Sequence, residues 1–296
     1  MKHGKTILFL ALPLLLVAAG CNNEPSDNKS LYDVDSLKVE ADAIKKAKKI
    51  FYQMYLPSEM YKVFEKAGAI YEPDILNQVE NVNLYETSIK ASLNLGVYGV
   101  DLSYNKMFGQ NQKTLLYFTV IHKLSQQLGI PDNQFASALR KMEKNIANRD
   151  SLTKYATNIY VSTNHFLNEN ERQSTAAMII TGGWIESLYI SSKIADENPS
   201  NEEIVNRIAF QKYSLRTLVS LLENYQGDEN VTKFLIMLKV LKKAFDKFEI
   251  YYEPGDVNID TVNKLISANK IEFNIQKEDI RNIKKIICEI RKEVIQ

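Results

Sequence analysis

The chain of 296 residues carries 37 basic against 36 acidic side chains, and 45% of its residues are hydrophobic, with 16 Tyr and 12 Phe. So even a balance offers no field to gather nucleic acid, and that apolar content excludes disorder for the body of the chain. The two cysteines, Cys21 and Cys288, are too few for a disulfide framework or a cysteine metal site.

Lys2 and Lys5 precede an apolar run over residues 7–19, which closes on Ala18-Ala19-Gly20-Cys21. A run of about 13 residues suits a translocation signal and falls short of the roughly 20 that a spanning helix needs. The small-small-Gly-Cys ending resembles a bacterial lipobox, with Ala18 where Leu is more usual. That resemblance implies that residues 1–20 are a signal peptide and that Cys21 receives a diacylglycerol as the mature N-terminus. Lipid chains bury methylenes at about 0.8 kcal/mol each, so a multiply acylated Cys21 would hold the protein on a membrane. Asn22 follows the cysteine where an Asp would imply inner-membrane retention, so the resemblance points to the outer membrane. Glu24 and Asp27 lie where Bacteroidota-type lipoproteins often carry surface-export signals, which leaves both the periplasmic face and the cell surface open.

Residues 21–35 are polar, include Pro25, and read as a flexible lipidated tether to a helical domain over 36–296. Ile44, Ala47, Ile50 and Met54 mark one helix face ended by Pro57, and a short helix over 58–66 stops at Gly68. Longer helices are expected at 83–107, 111–128, 132–147, 150–167, 170–197, 201–225 and 229–251, with Asp132 and Ser200 as N-caps. Phe234, Leu238, Leu241, Phe245 and Phe248 give the last of these a packing face. The turn at 253–256 then introduces segments 257–259 and 270–275, whose alternation suggests a small two-stranded ribbon. A final helix over 277–295 carries Ile280, Ile283, Ile287, Ile290 and Val294 at 3-4-3-4 spacing. Residues 95–104 and 181–190 match loosely at an offset of 86, which suggests two related halves, about 71–148 and 150–251. The expected fold is all-α: antiparallel helical hairpins in a bundle or short solenoid.

Gly96, Gly99, Gly182 and Gly183 fall inside two predicted helices, each at a cost of about 1 kcal/mol relative to Ala. Close helix approach would offset that cost, and so would a ligand cavity floored by Gly96 and Gly182 beside Tyr98, Asp101, Tyr104, Trp184, Glu186 and Tyr189. Asp101 and Glu186 each follow a Gly-aromatic element, and two carboxylates facing one cleft can do acid-base chemistry. The aromatic groups Tyr52, Tyr55 and Tyr61, and Tyr155 with Tyr160, suit either a core or a ligand groove. His122 and His165 lack metal-ligand spacing, and no phosphate-binding, dinucleotide or nucleophile-elbow pattern occurs, so no metal and no cofactor is expected. Cys288 reads as a buried thiol.

The whole chain, and above all Leu95-Gly-Val-Tyr-Gly-Val-Asp-Leu-Ser-Tyr104, resembles the uncharacterised helical lipoproteins of Bacteroidota-type genomes, a likeness that implies no activity. The expected function is a lipid-anchored envelope module that binds a protein partner or a ligand. An envelope hydrolase using Asp101 and Glu186 is the alternative. A purely structural subunit is a third, and it would leave the isoleucine stripe of residues 280–294 open.

Overall fold

The structure, a computed structural model, describes residues 63–66, 68–131, 172–197, 201–252, 257–260, 265–268 and 271–296, with Lys45, Thr163, Phe166, Leu167, Glu169 and Asn170 besides. The chain divides into two units, residues 1–39 and 40–296. The expected leader and tether, the tyrosines at 52–61, the helices expected at 132–147 and over most of 150–167, and the Asp132 cap lie outside the described residues.

Local chemistry sets the boundaries of the all-α body. Thr87, extended, accepts a hydrogen bond from Lys90 N and starts α1 (Ser88–Met107). The helix begins later than the spacing suggests, because residues 79–84 form a separate 3-10 turn. Gly109, at φ 70°, reverses the chain into α2 (Asn111–Gln127), which Gly129 ends at φ 66°. Both positions need the left-handed backbone that glycine adopts freely. α3 spans Gln173–Glu197, and α4 (Glu202–Glu223) is capped not by Ser200, as expected, but by the next residue, Asn201, which accepts from Ile204 N at 3.1 Å. Asp228 caps α5 (Glu229–Phe245), and a capping box between Gln276 and Asp279 opens α6 (Lys277–Ile295).

The expected helix over 229–251 stops at Phe245, and residues beyond it pair as strands. β1 (Ile250–Tyr252) lies antiparallel to β4 (Ile271–Phe273), while β2 (Val257–Asp260) lies antiparallel to β3 (Leu265–Ala268). Of the expected segments 257–259 and 270–275, residues 257–259 and 271–273 are extended, but they do not pair with each other. β2 closes on the nearer β3, the shorter loop and the smaller entropy loss.

Side-chain contacts fix the helix directions. Arg291 meets Glu186 and Lys284 meets Asp196, so α6 runs antiparallel to α3. Lys90 Nζ and Asn94 Nδ2 donate to the carbonyls of Gln296 and Val294, at 2.8 and 2.9 Å, so α6 runs antiparallel to α1 as well. α1 and α3 consequently point the same way, and they pack more extensively than any other described pair. Hairpins occur at α1–α2 and α4–α5, but the central contact joins parallel helices distant in sequence.

That contact has no room for a side chain. A Cβ on Gly96 would stand 2.0 Å from Ile179 O, and one on Gly182 would stand 1.8 Å from Leu93 O. The contact is reciprocal at an offset of 86 residues, since 93 maps to 179 and 96 to 182. Gly99 meets nothing within 4 Å. Around this crossing, α6 buries Ile283, Ile287, Ile290 and Val294 in the common core. The open stripe expected of a purely structural subunit is absent from that face.

Candidate functional site

Because the glycines bring two parallel backbones together, side chains just beyond the crossing on each helix meet. Asp101 and Glu186 are brought together in this way, and both are 0% exposed. Two carboxylates in an apolar interior cannot both stay charged without a counter-ion. Arg291 of α6 supplies it: Nε donates to Glu186 Oε2 at 2.6 Å, and Nη2 donates to Oε1 at 2.8 Å. Nη2 also donates to Ile75 O at 3.0 Å, and the guanidinium lies 4.0 Å from the centre of the Tyr189 ring. Forked pairing and ring stacking are what a planar guanidinium does best. Burial opposes the Arg291 charge, but the neighbouring Glu186 holds its pKa above the ordinary value.

Asp101 has no such partner. Its Oδ2 accepts from Asn77 N at 3.1 Å, while its buried Oδ1 receives no hydrogen bond. Burial first, and the Glu186 charge second, push its carboxyl well above the usual range, outweighing Arg291 and the Asn77 N–H. Within hydrogen-bond reach of Glu186, Asp101 fits the role of a carboxylic acid whose O–H donates to its neighbour.

Asn77 organises the surrounding polar layer. Its Nδ2 donates to Tyr85 Oη and to Asn94 Oδ1, at 2.9 and 3.1 Å, and its carbonyl accepts from Tyr117 Oη at 2.9 Å. Tyr98 donates to Gln78 O at 2.7 Å. Burial raises the pKa of Tyr98 and Tyr117, which keeps both phenols protonated as donors. The layer also ties down α6, since Tyr85 Oη donates to Ile295 O.

The eight residues expected around a cavity divide among several contacts. Gly96 and Gly182 form the backbone crossing, so the close-approach alternative accounts for them. Glu186 and Tyr189 meet Arg291 directly, and Asp101 lies beside Glu186. Trp184 instead turns to α4, where Nε1 donates to Ser214 Oγ at 2.8 Å. Tyr104 Oη accepts from Glu72 N at 3.1 Å, and its ring stacks at 5.8 Å on Tyr71. Cys288, expected to be buried, is half-buried.

The spacing argument missed Arg291 and Asn77. Arg291 follows Ile287 by four residues, so it falls beside the isoleucine stripe, where an arginine at core spacing was an available signal. Asn77 sits between short 3-10 turns and carried no periodic signal. Among the described residues, no three His, Cys, Asp or Glu side chains converge as metal ligands, and no helix is long and apolar enough to cross a membrane. No family model, curated protein or solved structure matches this chain.

Proposed function

We propose that this protein is a lipid-anchored component of the cell envelope, held at the outer membrane through Cys21, whose helical body serves as a binding or scaffold module. The leader chemistry supports the anchor: paired lysines, a short apolar run and a small-small-Gly-Cys ending. The observation that carries the choice of a module over a hydrolase is the sealing of the acid pair. Asp101 and Glu186 are wholly buried, and both Glu186 oxygens are taken by Arg291. Carboxylates that work on a glycosidic or acyl bond must reach substrate and water. Here their interactions join helices instead. Paired exposed aliphatics, Leu115 with Leu116 on α2 and Ile236 with Val240 on α5, leave apolar surface for a partner.

The test compares the native protein with Cys21→Ser in intact cells, using metabolic labelling with a radioactive fatty acid, membrane fractionation and crosslinking. Label and membrane association should both depend on Cys21, and a stoichiometric envelope protein should crosslink to the native form. Membrane retention without the cysteine would overturn the anchor. A hydrolytic activity abolished by Asp101→Asn in a folded protein would overturn the module.

A further inference from the structure

The three charged groups at the centre of the bundle do not sum to zero in every protonation state. Glu186 and Arg291 cancel through their forked pair. A charge on Asp101 would then be a second negative charge with nothing left to oppose it. We propose that the proton on Asp101 controls the seating of α6, and that losing this proton loosens α6 from α1 and α3.

The segment before α1 presents Tyr71 and Tyr85, α1 itself presents Tyr98, and α2 presents Tyr117; burial raises the pKa of all four phenols, so they offer hydrogen bonds without charge. α3 presents Glu186 and Tyr189. α6 presents Arg291, Cys288 and Lys284, and Lys284 is engaged with Asp196. Among these groups Arg291 is therefore the cation whose charge acts on both acids, and of the two it hydrogen-bonds Glu186.

Geometry also selects the element that moves. α1 and α3 are locked by backbone contact at Gly96 and Gly182. α6 is held by its apolar face, by Arg291, and by Asn94, Tyr85 and Lys90 on its final carbonyls. A carboxylate at 101 would compete with Glu186 for the guanidinium, and lifting α6 away exposes the acids to water. The sign follows from linkage. The fold keeps a proton on Asp101 that the unfolded chain gives up at ordinary carboxylate pH. The seat is therefore strongest below that range and weakens as pH rises toward the folded titration point.

Cys288 lies on α6 and reports its release. In the full chain carrying Cys21→Ser it is the sole thiol, so its alkylation by iodoacetamide can be followed from pH 6 to 10. Dividing each rate by that of the urea-unfolded chain removes the thiol's own titration. The normalised rate should climb by about tenfold per pH unit over the range where the folded chain holds the extra proton. Asp101→Asn should remove that climb. Glu186→Gln should remove it too, because Arg291 then pairs with the one carboxylate left. The double variant should label fast at every pH, since Arg291 then has no counter-charge. A climb in Asp101→Asn equal to the parent's, or a parent that does not climb, overturns the proposal. If Asp101→Asn does not fold by circular dichroism, Glu186→Gln decides: a flat profile upholds the proposal and a parental climb overturns it.

Discussion

The α1–α3 crossing and the α4–α5 hairpin solve the same problem, joining two helices, by opposite means. At the crossing, backbone meets backbone through glycine, and a layer of buried polar groups sits beside it. In the hairpin, Leu215, Leu218 and Leu222 share the core with Phe234, Leu238 and Leu241. At its edges Arg216 meets Asp246 at 3.0 Å and Lys239 meets Glu223 at 2.8 Å, both partly exposed. The hairpin follows sequence order and uses ordinary side chains. The crossing joins helices far apart in the chain, and its tolerance is measured in fractions of an ångström.

The largest effect should come from Gly182→Ala. The new methyl would overlap a carbonyl on the facing backbone, which cannot rotate away, so the loss should exceed about 4 kcal/mol. A urea midpoint near the parent's would mean that the two backbones are not in contact. Arg291→Met, similar in length but uncharged, should cost about 3–5 kcal/mol, because it leaves Glu186 charged and unpaired in the interior. If its unfolding free energy matched the parent's, the pair would not be buried in solution.

In the hairpin, Leu238→Ala should cost about 3 kcal/mol and leave a cooperative transition, the usual result of a cavity in a side-chain core. Gly99→Ala sharpens the comparison, because it sits on the same helix as Gly96 but faces open space. It should stabilise by about 0.5–1 kcal/mol, raising the melting temperature where Gly182→Ala lowers it. A loss at Gly99 would show that α1 resents any added volume. Lys239→Ala removes one exposed ion pair and should shift stability by less than about 0.5 kcal/mol, a change confined to low salt.

Much of the scaffold was legible in the chain. Apolar spacing located α1 to α6, and the turn residues Gly109, Gly129 and Asp228 mark their ends. The errors fell where neighbours compete. The helical pattern runs through residue 251, but residues 250–252 gain strand partners at 271–273, and the cap of α4 falls at Asn201, one residue after Ser200. Of the candidate site, Asp101 and Glu186 were found because each follows a glycine and an aromatic residue at helical spacing. Their partner Arg291 was hidden beside an isoleucine stripe, since a sequence shows that a helix is amphipathic without showing what it covers.

The sequence by itself determined the described helices, the turns between them and the balance of charge, because propensity, periodicity and turn chemistry act over a few residues. Only the tertiary structure decided that Gly96 and Gly182 are contacts, that two acids 85 positions apart share one dry site, and that a third helix brings the neutralising charge. Burial and charge pairing depend on which distant surfaces meet, a property no local stretch of chain contains.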